Sequence, residues 1–112
     1  LGDLASRGLL EETLVVLTTE FGRTPKINQN AGRDHYPQAF SAVLAGGGVK
    51  GGTVFGKTDA HGTEPIENAI KVTDFNATIA YGLGLPIDKR VHPGGGRPYF
   101  VGDRGKVIKQ AF

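Results

Sequence analysis

Apolar positions along the chain come in short bursts separated by glycine-rich and polar stretches, and their period changes from one burst to the next. Leu1, Leu4 and Ala5 lie among Asp3, Ser6 and Arg7, which predicts the last turns of a helix stopped by Gly8, with Leu9 and Leu10 just beyond. The run Leu14-Val15-Val16-Leu17 is β-branched and continuous, which predicts a buried strand from Thr13 to Thr18 or Thr19. A polar stretch from Glu20 to Pro37 follows, longer than a simple connector requires and therefore a place to look for function. Ala39 to Ala45 predicts a second strand, ended by Gly46-Gly47-Gly48, and Thr53-Val54-Phe55 a third that turns back on it through a glycine bulge. Residues 56–67 read as irregular, and Ile70-Lys71-Val72 as an edge strand.

Thr73 to Leu85 carries the clearest helical period. Phe75, Ile79 and Leu83 recur at every fourth position, Thr73 is placed to cap, Asp74 favours the positive end of the helix dipole, and Gly84 with Pro86 stops the helix. Beyond Val91 the pattern predicts a Gly/Pro loop, a short strand at Tyr99-Phe100-Val101, a turn at Gly102-Asp103 and an apolar tail with Val107, Ile108 and Phe112.

Composition narrows this picture. At 112 residues the chain holds at most one domain, and 38% hydrophobic residues with 18 glycines predict many loops and tight turns. Lys and Arg number 13 against 11 acids, scattered along the chain, so the net charge of +2 gives no concentrated basic face for nucleic acid. No apolar run approaches the roughly 18 residues that span a bilayer. Without cysteine there is no disulfide, thiolate metal site or thiol nucleophile. The absence of methionine, with an opening directly into helix-like sequence, makes the chain read as a piece of a longer protein, a single partial domain over residues 1–112.

Two nucleotide-binding patterns match by letter only. Gly51 to Thr58 fits G-x-x-x-x-G-K-[ST], but Thr53-Val54-Phe55 favours strand inside the loop, and Asp59 to Pro65 is a poor start for the helix that should meet the phosphate. Gly46, Gly48 and Gly51 spell G-x-G-x-x-G, again with no helix to follow, so a tight glycine turn is the reading adopted.

The polar stretch is where reactive side chains gather. Glu20 and Arg23 follow the first strand, and Arg33, Asp34, His35 and Tyr36 close the loop, at the strand's carboxyl end where open α/β sheets hold their ligands. Carboxylate and imidazole suit zinc, manganese or iron, and oxygen donors alone suit calcium or magnesium. Glu20 with Asp34 or His35 is one reading; a solvated loop tied by salt bridges is the other. Arg23 and Arg33 likewise either grip a phosphate or sulfate group or pair with Glu20 and Asp34. His61, near Asp59, and His92, before Pro93, read as surface residues.

Three successive stretches carry a family likeness: Thr18-Thr19-Glu20-Phe21-Gly22-Arg23-Thr24-Pro25, Gly32-Arg33-Asp34-His35-Tyr36-Pro37 and Ala45-Gly46-Gly47-Gly48-Val49-Lys50-Gly51-Gly52. In order and spacing they resemble the C-terminal part of a family of uncharacterised, mostly exported bacterial proteins grouped with the alkaline phosphatase and sulfatase superfamily. Val72 to Ile79 and Gly105 to Ile108 resemble its later segments. The resemblance implies an α/β fold, the C-terminal fragment of a sulfatase-like, mainly parallel sheet with flanking helices, and a periplasmic or exported setting. It implies metal-dependent hydrolysis of a small anionic sulfate or phosphate ester by the parent protein, with zinc, manganese or calcium, and with the missing N-terminal half as this piece's partner. Thr18-Thr19-Glu20-Phe21-Gly22 is similar to a strand end that supplies metal ligands there: Glu20 matches the ligand carboxylate, and Phe21 replaces a ligand His or Asn. By resemblance the metal ligands are Glu20, Asp34 and His35, and the substrate contacts Arg23 and Arg33; the nucleophile is unknown. The alternative is a non-catalytic, envelope-associated binding or structural module with a decayed metal site, a reading that Phe21 favours.

Overall fold

The structure is a computed structural model and describes residues 1–92 and 94–112; Pro93, in the expected Gly/Pro loop, lies outside them. Its elements are two α-helices, two short 3-10 turns at Leu10–Glu12 and Lys109–Ala111, and eight short strands joined in pairs. In chain order these are α1 (Gly2–Ser6), β1 (Val15–Leu17), β2 (Gly22–Arg23), β3 (His35–Tyr36), β4 (Val43–Ala45), β5 (Lys57–Thr58), β6 (Pro65–Glu67), α2 (Val72–Gly82), β7 (Arg90–Val91) and β8 (Tyr99–Phe100). The pairs are β1 with β4, β2 with β3, β5 with β6 and β7 with β8, a loose mixture of helix and sheet. The last three pairs are antiparallel; for the first two of these the connections 24–34 and 59–64 are hairpin loops and not the helical crossovers that a parallel pair requires.

The chain divides into two compact units: Leu1–Val15, Ala45–Thr53 and Ile70–Phe112 form the first, Val16–Leu44 and Val54–Ala69 the second. In the first unit both helices end in the same way. Gly8 and Gly84 take the left-handed conformation at φ +70°, and the following Leu9 and Leu85 N–H groups bond back to the Leu4 and Ala80 carbonyls at 2.9 Å. A glycine enters that conformation without the Cβ clash that other residues suffer, so these stops are legible in the sequence.

The start of α2 differs from expectation. It opens at Val72, with Lys71 and not Thr73 as the capping position, so the edge strand expected at residues 70–72 is absent. The cause is Asp74, whose carboxylate reaches back to accept the Lys71 N–H at 3.1 Å and moves the helix start N-terminal.

The fully buried residues of α2 are Ala77, Thr78 and Ala80; of the expected stripe, Phe75 and Ile79 are half-buried and Leu83 is 60% exposed. Small residues win here because another stretch of backbone lies directly on the helix. A Cβ on Gly102 would stand 2.7 Å from the Ala77 Cα, closer than carbon atoms approach. Polar groups then fix the contact: Asp74 accepts the Lys106 N–H at 2.7 Å, and the Thr78 hydroxyl accepts the Ile108 N–H at 3.0 Å while donating to the Asp74 carbonyl at 2.6 Å. The Tyr81 ring meets Phe112 edge-on, centroids 5.5 Å apart. In the same unit the turn Gly46-Gly47-Gly48 has positive φ throughout, and the Gly47 N–H bonds to the Leu10 carbonyl at 2.9 Å, so the G-x-G-x-x-G stretch is a turn.

Other strand expectations shift. The first strand covers only Val15–Leu17 and is not buried, with Leu17 66% exposed. The second shortens to Val43–Ala45. Thr53-Val54-Phe55 is not a strand, and Val54 is 90% exposed; β-propensity without a partner strand does not make a ladder. The stretch expected to be irregular instead holds the β5–β6 hairpin, which places Lys57 and Thr58 in a strand and leaves no phosphate-loop helix after them. Strand β8 ends at Phe100, one residue short of expectation, and pairs with Arg90 and Val91, the latter expected to open the Gly/Pro loop.

Candidate functional site

Every residue singled out for chemistry belongs to the second unit. The long polar stretch is a hairpin: Gly22 pairs with Tyr36 and Arg23 with His35, so the two polar motifs are antiparallel neighbours. Its tip is folded by side chains acting on backbone. Asn28 Oδ1 accepts the Asn30 and Gly32 N–H groups, both at 3.0 Å, and its amide nitrogen donates to Asp34 Oδ1 at 2.9 Å. The Thr24 hydroxyl accepts the Asp34 N–H at 3.1 Å and donates to the Lys26 carbonyl at 2.9 Å. Asn, Asp and Thr are the residues whose short polar side chains bond to nearby backbone in this way.

Side-chain alternation divides the hairpin into two faces. Cross-strand partners Arg23 and His35 share one face, where His35 stacks on Phe21 with centroids 4.1 Å apart and the Arg23 guanidinium lies 5.9 Å from the Phe21 ring. Tyr36 turns to the other face and donates its hydroxyl to the Thr63 carbonyl at 2.7 Å.

The arginines do not make the ion pairs that one reading of the sequence foresaw. Arg33 Nη1 donates to the Thr24 carbonyl at 2.6 Å and also to that of Pro25, and Arg23 Nη1 donates to the Arg33 carbonyl at 3.3 Å. Neither pairs with Glu20 or Asp34: among the described residues the ion pair within 4.0 Å is Arg7 with Asp3. Glu20 is exposed at the bend before β2, and Asp34 and His35 are exposed as well. Among the described residues no three His, Asp or Glu side chains come together to hold a metal ion. Glu20, Asp34 and His35 therefore offer suitable donor atoms without an assembled ligand set, and the fit to a resident metal is incomplete within this chain.

The β5–β6 turn forms the other wall of the unit. Asp59 Oδ1 accepts the N–H groups of Thr63 at 2.6 Å and Glu64 at 3.3 Å, and Oδ2 accepts the Thr63 hydroxyl. These bonds, the Thr63 hydroxyl foremost and His61 nearby last, hold the Asp59 carboxyl below its ordinary range, against a weaker opposing effect of desolvation. Between this turn and the Tyr36 face of the first hairpin opens a cleft of about 630 Å³, lined by Thr24, Pro25, Lys26, Tyr36, Ala60, His61 and Thr63. The sequence reading passed over Lys26 and Thr63 and set His61 aside as a surface residue. Asp59 and Thr63 at this spacing around Gly62 are the signature of a turn closed by an aspartate, and that signal could have brought His61 to notice.

No curated protein and no solved structure matches the chain significantly. A family model does match, over residues 1–112, and by its description the chain belongs to the family "Protein of unknown function (DUF1501)".

Proposed function

We propose that the β2–β3 hairpin is one wall of a site for an anionic ester, a sulfate or phosphate, in a hydrolase of the alkaline phosphatase and sulfatase kind. The observation that carries this reading is the pairing of Arg23 with His35, which sets a guanidinium and an imidazole side by side on one exposed face. Glu20, two residues before the strand, adds a carboxylate near its end. A guanidinium suits sulfate or phosphate oxygens, and an imidazole with a carboxylate suits zinc or manganese, with calcium as a further candidate for the carboxylates. Arg33 contributes to the substrate side only through the donors its carbonyl contacts leave over. A bound metal would supply Lewis-acid stabilisation of the ester oxygens. The donors that complete its shell, the nucleophile and the exported setting belong to the parent protein under the same proposal.

A second reading has its own observations. Phe21 stacks on His35, and Asn28 holds Asp34, which is what a binding or structural module with a decayed metal site would display. Metal analysis of the intact parent protein separates the two. Stoichiometric zinc, manganese or calcium, lost in Glu20→Ala together with hydrolysis of an aryl sulfate or phosphate, is the expected result. An unaltered metal content in Glu20→Ala removes Glu20 from the ligand set, and no metal with no hydrolysis at all favours the module.

A further inference from the structure

The cleft on the Tyr36 side of the hairpin is a different place from the Arg23–His35 face, because adjacent strand residues point to opposite sides. We propose that this cleft binds a small molecule carrying an anionic group on a ring, with Lys26 as the cationic contact, His61 as a hydrogen-bonding contact, and Pro25 and Tyr36 as the flat apolar wall.

Its shape is set in advance. The Tyr36 hydroxyl bond to the Thr63 carbonyl joins the two hairpins at 2.7 Å, and Gly62 at the turn comes within about 4.0 Å of the Pro25 ring at the position a Cβ would take. Three bonds from Asp59 keep the turn closed, so a ligand would pay little ordering cost. The cleft is open to solvent along much of its rim, so a small molecule reaches it without rearrangement of the two hairpins.

Charge then selects the ligand. Lys26 and His61 are the basic side chains lining the cleft, and no carboxylate is among its lining residues. The neighbouring Asp59 has its oxygens directed at Thr63 and Glu64, so it is engaged within its own turn. An ammonium and an imidazole lining the same cleft as a proline and a phenol ring match an anion attached to a sugar or aryl ring, the ring lying on the flat wall. The two possible bodies share this chemistry and are separated by the choice of probe.

The test is calorimetric titration of the intact protein with phenylphosphonate and, in parallel, glucose 6-phosphate. Saturable one-to-one binding of at least one probe is expected, weakened roughly tenfold by Lys26→Ala and again by His61→Ala, as fits the loss of charge-assisted contacts. Glu20→Ala and Arg23→Ala, which act on the proposed hydrolase face, should leave the cleft's own one-to-one step unchanged, and this keeps the two sites separate. The proposal falls if neither probe binds, or if binding survives when Lys26→Ala and His61→Ala are combined with Arg23→Ala, so that the ester face is silent as well. It also falls if Arg23→Ala alone abolishes binding, a result that would move the anion to the other face.

Discussion

The two units of this chain solve the problem of holding a small fold together by different means. In Leu1–Val15, Ala45–Thr53 and Ile70–Phe112, glycines and alanines let backbone lie on helix α2, and Ala77, Thr78 and Ala80 are the buried residues of the described structure. In Val16–Leu44 and Val54–Ala69 no described residue is buried to that degree; Asn28, Thr24, Arg33 and Asp59 instead wrap their polar ends around nearby backbone groups. The first means gains from close packing and tolerates little change. The second gains about 0.5–1.5 kcal/mol per hydrogen bond, and it leaves charged side chains on the surface where a ligand can reach them. Both the proposed ester face and the cleft lie in the polar unit, in keeping with the rule that function sits on loops while packing serves the scaffold.

The sharpest way to break this contrast is Gly102→Ala. The added methyl would meet the Ala77 backbone, at a position whose φ of +77° already disfavours a side chain. A loss of about 3 kcal/mol is expected from the overpacking and conformational terms together, read by urea unfolding of the helical circular-dichroism signal. A loss below about 1 kcal/mol would mean that backbone contact is not what holds the first unit.

Acid unfolding tests the polar fixings within that same unit. The backbone N–H groups of Lys106 and then Lys71 hold the Asp74 carboxyl below its ordinary value of 3.8. A carboxylate with a lowered folded-state pKa stabilises the fold above its unfolded pKa, and that contribution disappears as pH falls through the folded value. Asp74→Asn should therefore cost about 1 kcal/mol near neutral pH, with allowance for partial exposure, and should flatten the acid limb of stability against pH. Parallel acid limbs in the two proteins would sink the assignment.

The smallest effect is expected in the polar unit. Asn28→Ala removes the acceptor of the Asn30 and Gly32 amides. Exchange of those two amides with solvent should quicken roughly fivefold, for about 1 kcal/mol of local stability, while amides of α2 keep their protection. Equal loss of protection in α2 would show that the two means of stabilisation are not separable.

Local signals were the ones the sequence carried plainly. Gly8 and Gly84 announced both helix ends, Asp74 the start of α2 to within two residues, and Gly46-Gly47-Gly48 a turn, because each acts on its own few neighbours. The two polar motifs were also legible as a pair, and β2–β3 sets them side by side. What the sequence missed needed partners from elsewhere in the chain. Thr53-Val54-Phe55 had strand-like residues but no neighbour to pair with, whereas Lys57 and Thr58 had one in Pro65–Glu67.

By itself, then, the sequence determined the family and the punctuation of the chain: where helices stop, where glycine turns fall and which stretch concentrates charged side chains. Tertiary structure alone decided that the residues α2 buries fully are alanine and threonine, since there a second backbone comes close enough to exclude larger side chains. It alone decided that Arg33 serves carbonyls and that His61 lines a cleft. The physical reason is common to these cases. A turn's energy is set by adjacent residues, but the partner of a side chain is set by whichever part of the chain folding brings beside it.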